Sequence, residues 1–384
     1  VDFEFATAGR IRFGDGVLGE LPAWVKERGA RVLLVVGAHP ERHAATRAAL
    51  ADAGLDVTLF SVAGEPTTEL ASRGLACARA ANVEVVVGLG GGSVLDAGKA
   101  IAALLSNGGA PLDYLEVVGA GQKIARPSLP YAAVPTTAGT GAEVTKNAVL
   151  TSREHGVKVS LRSNYMLPSL ALVDPQLTHA VPPAVTASTG LDALTQVLEP
   201  YVCNQPNALT DGLCRDAMAR SARSLRRAFV DGADADARRD LALVSLCGGL
   251  ALANARLGAV HGLAGPLGGR YVSPHGAVCA RLLPFVIDIN LAALRRRAPQ
   301  SPVLERYTEV AQILTGRADA RAEDAVGWAQ ELMTALAIPR LRDYGLQERD
   351  FDEVVIQATR ASSMKGNPIA LTPDELTTVL AQAH

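Results

Sequence analysis

One carboxylate and two imidazoles stand out as groups able to hold a divalent cation. Asp192 lies in Ser188-Thr-Gly-Leu-Asp-Ala-Leu-Thr-Gln196, His261 in Val260-His-Gly-Leu263, and His275 in Ser273-Pro-His-Gly276. An acid with two imidazoles suits a first-row ion such as Fe2+ or Zn2+. Residues four apart share a helix face, so a helix here projects Gln196 beside Asp192. Either histidine taken singly reads more readily as a hydrogen-bonded core residue. Only the combination points to a metal.

Two glycine-rich turns carry a second kind of chemistry. Gly88-Leu-Gly-Gly-Gly-Ser93 follows the apolar run 83–87 and precedes the helix-like stretch 94–105. In that context the backbone N–H groups around Gly90, Gly91, Gly92 and Ser93 can cradle a pyrophosphate at a helix N-terminus. The same turn would serve equally well as a tight connection with positive φ and no ligand. Asp96 and Lys99, an ion-capable pair in the first helical turns, favour the phosphate reading. Ser93, a residue type suited to capping, does the same. Pro135-Thr-Thr-Ala-Gly-Thr-Gly-Ala-Glu143 is a second such loop, and its Thr136, Thr137 and Thr140 hydroxyls suit polar contacts to a nucleotide.

These groups need a scaffold, and the first half of the chain alternates strand-like and helix-like patterns. Runs 31–36, 56–60, 83–87, 131–134 and 170–173 read as strands, the last closed by Asp174-Pro175; 41–54 and 70–81 read as helices. The alternation predicts an α/β fold with a doubly wound parallel sheet. After Pro182-Pro183 the chain becomes rich in Ala, Leu and Arg with helical spacing and almost no strand signal. The expected organisation is a nucleotide-binding α/β domain over 1–178 and an all-α domain over 179–384.

With these residues in view, the chain resembles the iron-containing alcohol dehydrogenase family. The resemblance rests on Gly90-Gly-Gly-Ser-Val-Leu-Asp-Ala-Gly-Lys99, Val134-Pro-Thr-Thr-Ala-Gly-Thr-Gly-Ala-Glu-Val144, Thr189-Gly-Leu-Asp-Ala-Leu-Thr195, Val260-His-Gly-Leu-Ala264 and Pro274-His-Gly276, in that order along the whole chain. It implies an N-terminal domain that binds NAD or NADP and a helical domain that holds Fe2+ or Zn2+. It also implies a catalytic cleft between them, a small alcohol or carbonyl substrate and a homodimer. Carried over residue by residue, Gly90, Gly91, Gly92, Ser93, Asp96, Thr136, Thr137, Thr140 and Lys158 are cofactor-side positions. Asp192, His261 and His275 match three of the usual four metal ligands and are the expected catalytic centre. The fourth, usually a histidine, is Gln196, whose neutral amide oxygen is a poorer donor. A second histidine often credited with proton relay is replaced by Gly265.

The strand 31–36 ends in Val35-Val36-Gly37-Ala38-His39, without the Asp that often receives a ribose 2′-hydroxyl in NAD users. His39, Arg42 or His43 could instead pair with a 2′-phosphate, which leans the reading toward NADP; Gly37 could also simply make a turn. Three functions follow. The leading one is an NAD(P)-dependent oxidoreductase interconverting an alcohol and an aldehyde or ketone. The others are reduction of an activated carbonyl, as in maleylacetate reductases, and a nucleotide-binding protein that has lost catalysis.

The bulk numbers exclude other classes. A net charge of -2 over 384 residues offers nothing to nucleic acid or to an anionic membrane surface. Arg223, Arg226, Arg227 and the run 295–297 read as solvated helix faces. The apolar stretch 241–255 is too short to span a bilayer and reads as a buried helix. Five scattered cysteines, Cys77, Cys203, Cys214, Cys247 and Cys279, fit reduced thiols in a cytoplasmic, soluble protein.

Overall fold

The computed structural model describes residues 2–116, 118–155, 157–271 and 273–384. The chain divides into two compact units. One comprises Ala6–Thr137 and Gly141–Thr178; the other comprises His179–His384, Ala138–Thr140 and the N-terminal residues up to Phe5.

The first unit is built on strands β1 (Ile11–Phe13), β2 (Arg31–Val36), β3 (Asp56–Ser61), β4 (Val85–Gly90) and β5 (Tyr131–Pro135), then β6 (Asn147–Ser152), β7 (Val157–Arg162) and β8 (Leu170–Val173). Six of them form one sheet in the order β1-β8-β5-β4-β2-β3, with every neighbouring pair parallel. A parallel strand covered on both faces must be apolar on both, and Val32 to Val36 of β2 are all fully buried. Val32, Leu34 and Val36 pack with Leu21, Trp24 and Leu50 on one face, while Leu33 and Val35 pack with Leu95, Ile101 and Tyr131 on the other. Helices therefore cover both sides, and the sheet is doubly wound. The chain leaves β2 for β3 on one side and returns to β4 on the other. This puts the reversal of strand order at the carboxyl ends of β2 and β4, where open α/β sheets bind ligands.

Three local features differ from the sequence reading. β4 runs on to Gly90 instead of stopping at residue 87, because its glycines serve packing. A Cβ on Gly88 would lie 2.4 Å from the Tyr131 hydroxyl, and one on Gly90 would lie 2.6 Å from Val94. Ser93 is not the cap: the helix Gly92–Asn107 starts two residues earlier than expected, and its N-cap is Gly91, with no side-chain cap bond. The edge strand β1 and the antiparallel hairpin β6–β7 were not expected. β1 has only three residues, too few to show a period.

Among the described residues, the regular elements of the second unit are all helices. Its centre is the helix Pro183–Val202, buried from Thr186 to Val202 except at Thr189. It packs against Ala208–Val230, Ala235–Asn254 and His275–Arg297. Glycines let these helices approach: a Cβ on Gly190 would meet Leu225 at 2.3 Å, and one on Gly276 would meet the Ser188 carbonyl oxygen at 2.4 Å. The apolar stretch expected as a buried helix lies in Ala235–Asn254, with Leu241, Val244 and Leu250 in the core. Among the described residues, the helix long and apolar enough to cross a membrane is instead His275–Arg297, and its apolar window is 78% buried inside the protein. The arginine runs are paired with acids: Arg223 with Asp240, Arg226 with Glu331, Arg227 with Asp234, and Arg296 and Arg297 with Glu375.

Candidate active site

Three helices bring Asp192, His261 and His275 together. Asp192 lies midway along Pro183–Val202, His261 in the first turn of Ala259–Arg270, and His275 opens His275–Arg297. Asp192 Oδ1 is 3.5 Å from His261 Nε2 and 4.0 Å from His275 Nε2. A fourth group joins them, because Cys279 lies one helical turn after His275 and its Sγ is 3.6 Å from His275 Nε2. One donor atom from each of the four lies within 4.8 Å of every other.

The cluster has an unmet requirement. Asp192 is almost fully buried, and its Oδ1 has no hydrogen-bond partner; leaving such an acceptor unsatisfied costs about 1–3 kcal/mol. A cation coordinated by that oxygen and by the facing imidazole nitrogens removes the penalty, so the residues present fit a divalent ion. The electrostatics agree. Burial pushes the Asp192 carboxyl up, but the facing His261 and His275 rings hold it below the usual carboxylate range. Beside the Cys279 sulfur, His275 is raised above the ordinary imidazole value. The pocket attracts positive charge.

Glu199 completes the arrangement from behind. Its Oε2 is 2.6 Å from His261 Nδ1, and its Oε1 accepts the Val260 backbone N–H at 2.7 Å. A carboxylate on Nδ1 fixes the ring and leaves Nε2 as the free donor, the usual support for a metal-ligating histidine. The sequence reading missed both Glu199 and Cys279. Their signals were helical spacing, seven residues after Asp192 and four after His275, which marks a shared face without saying what that face meets.

In the sheet unit, Gly90 to Ser93 form the turn from β4 into the helix Gly92–Asn107. Every helix start leaves its first N–H groups without intrahelical acceptors, and here no side chain caps them. That is a place for a phosphate oxygen. Thr136 and Thr137 follow β5 alongside: Thr136 N–H donates to the Gly90 carbonyl at 3.0 Å, and a Cβ on Gly91 would face Thr137 Oγ1 at 3.4 Å. Asp96 Oδ2 accepts from the Val149 N–H at 3.1 Å, and burial pushes its carboxyl up to about 6. Lys99 does not face a phosphate. Its ammonium is buried and donates to Ala142 O, Thr145 Oγ1 and Asn147 O at 2.8, 3.0 and 2.8 Å, so all three of its protons are used within the fold. Lys158, on β7, lies 3.3 Å from Glu65. Thr140 belongs to the segment Ala138–Thr140 of the helical unit.

Comparison with known proteins covers nearly the whole chain. Residues 8–175 match the iron-containing alcohol dehydrogenase family, and residues 186–384 match its C-terminal domain. The chain belongs to this family. It is 34% identical over 381 residues to alcohol dehydrogenase 4 of Schizosaccharomyces pombe, covering 97% of this chain and 86% of that protein. It is 36% identical over 342 residues to 1,3-propanediol dehydrogenase of Klebsiella pneumoniae, covering 87% and 85%. The solved structure of a 1,3-propanediol oxidoreductase superposes with a TM-score of 0.92 at 32% identity, covering 100% of both chains. As a member of this family the chain is an oxidoreductase that interconverts alcohols and their carbonyl counterparts, and membership implies a nicotinamide cofactor and a divalent metal.

Two positions set this dehydrogenase apart. Gln196 Nε2 donates to the Gly139 carbonyl at 3.1 Å, while its buried Oε1 has no partner. Gly265 lies inside the helix Ala259–Arg270, and a Cβ there would meet nothing within 4 Å. At the end of β2, His39 Nδ1 is 3.1 Å from Glu41 Oε1. A carboxylate thus stands two residues beyond His39, where the strand-end reading had considered only the cationic groups.

Proposed function

We propose that this protein reduces a small aldehyde or ketone and oxidises the matching alcohol, with an ion at Asp192, His261 and His275 and NADP preferred over NAD. The observation that carries this reading is the buried, unpartnered Asp192 Oδ1 facing two imidazole nitrogens. When bound, the ion supplies Lewis-acid polarisation of the substrate oxygen and the nicotinamide supplies or accepts the hydride. Glu199 holds His261 in one orientation and tautomer. His275, whose side chain is 36% exposed, leaves an open side by which a substrate oxygen can approach. Gly265 offers no side chain to move the substrate proton, which water would then have to carry.

The uncapped turn at Gly90, Gly91, Gly92 and Ser93, with Thr136 and Thr137 beside it, supports pyrophosphate binding there; Asp96, Thr140 and Lys158 are the further cofactor-side residues. Domain roles follow: dinucleotide binding over 1–178, metal and substrate over 179–384. Arg42 and His43 are the cations left for a 2′-phosphate, since Glu41 occupies His39. The five cysteines are free thiols, which fits a reducing cytoplasm, and a homodimer is the assembly we expect.

The test is to strip the protein with chelator, reload it with Fe2+ or Zn2+, and follow NADPH and NADH oxidation. The aldehyde panel should include three-carbon hydroxyaldehydes, the oxidised counterparts of the diol in the name of the propanediol dehydrogenase relative. Turnover that requires the ion supports the reading; no turnover with either ion or cofactor rejects it. Activity that survives chelation points instead to the maleylacetate-reductase type of chemistry.

A further inference from the structure

We propose that Cys279 binds the ion as a thiolate and supplies the fourth protein donor in place of the imidazole that Gln196 has replaced. The inference rests on the metal reading of Asp192, His261 and His275 given above.

Three observations carry it. The first is geometry. With metal–nitrogen and metal–sulfur bonds of about 2.1 and 2.3 Å, a tetrahedral site has nitrogen–sulfur edges near 3.5 Å and nitrogen–oxygen edges slightly shorter. His275 Nε2 to Cys279 Sγ is 3.6 Å, and His261 Nε2 to Asp192 Oδ1 is 3.5 Å. These two edges match an ion's coordination shell, and the edge from His275 Nε2 to Asp192 Oδ1, at 4.0 Å, has about half an ångström to close on binding. The second is placement. Cys279 is fully buried and shares the helix His275–Arg297 with His275, one turn further on, so a single element presents both donors. Among the described residues, none of the other four cysteines joins the cluster. The third is charge. Among the groups that would touch the ion only Asp192 is negative, the charge of Glu199 reaching it through the His261 ring, and a buried charge poorly balanced at contact is expensive. Gln196 is neutral, and its amide nitrogen is tied to Gly139. A thiolate brings the set to neutrality, and the thiol proton passes to solvent as the ion binds. The soft sulfur also moves the preference toward zinc.

The experiment is X-ray absorption on the zinc-loaded wild-type protein, together with absorption spectra of cobalt-loaded wild type, Cys279→Ser and Gln196→Ala. One sulfur neighbour at about 2.3 Å from zinc is expected. So is a near-ultraviolet sulfur-to-cobalt band that Gln196→Ala keeps and Cys279→Ser loses, with ion affinity in Cys279→Ser down about tenfold or more. Stoichiometric zinc with only nitrogen and oxygen neighbours overturns the thiolate and leaves the proposed function standing. A wild type that binds neither ion overturns both. A band retained in Cys279→Ser also overturns the assignment, and if that variant does not fold the wild-type zinc measurement decides alone.

Discussion

Glu199 determines which nitrogen His261 can offer. It holds Nδ1 at 2.6 Å and is itself fixed by the Val260 N–H. Replacing it with glutamine removes the charge that makes the ring a good donor. Glu199→Gln should weaken ion binding about 10- to 100-fold, read by competition against a chelator, and His261→Ala should abolish stoichiometric binding. Gly265 offers the opposite case. The space beside it is empty, and glycine inside a helix costs about 0.5–1 kcal/mol relative to alanine. Gly265→His should therefore leave the thermal midpoint unchanged or higher. Its new imidazole should add a titration near neutral pH to the rate of aldehyde reduction. A clear fall in midpoint would show that the position is not open.

At the scale of elements, the site depends on how closely two helices approach. Gly276 sits where a Cβ would lie 2.4 Å from the Ser188 carbonyl oxygen and 3.1 Å from Asp192 Cβ. Gly276→Ala must push these helices apart, at a cost of about 1–3 kcal/mol. Thermal midpoint and ion affinity should fall together, because the displaced neighbours are the Asp192 helix and the His275 helix. In the sheet unit, β6 supplies an acceptor to Lys99 and an N–H to Asp96, which explains why the helix Gly92–Asn107 carries that pair. Glu143 is buried near the same ammonium, and burial pushes its carboxyl from 4.5 up to about 7. Between those values the folded chain holds a proton that the unfolded chain has lost. The contribution of Glu143 to stability is therefore full below 4.5 and declines as pH rises through 7. Glu143→Gln removes that slope. Denaturation measured from pH 5 to pH 7 should show wild type losing about 1–3 kcal/mol relative to the variant.

For the whole molecule, an ion that binds only the folded chain adds to its stability by mass action. At a free concentration of roughly one hundred times Kd the gain is about 2.7 kcal/mol. Chelator-treated protein should melt at a lower temperature than protein reloaded with Zn2+, and the difference should grow with ion concentration. Asp192→Ala should not show this dependence. An equal shift in wild type and variant would place the ion elsewhere.

The strands 31–36 and 170–173 were legible as written, since an apolar run flanked by turn residues has few other uses. The acid, the two imidazoles and the glycine turn could likewise be named from residue type, order and spacing. Only the tertiary structure decided how those groups are used. Lys99 looked available to a phosphate until its three acceptors, all distant in sequence, came into place. Ser93 looked like a cap until β4 ran on to Gly90. Glu199 and Cys279 were ordinary helix residues until folding put one behind His261 and the other beside His275. Local pattern records which face of an element is apolar. The partner a polar atom meets depends on contacts between segments far apart in the chain, and the sequence carries no local mark of those.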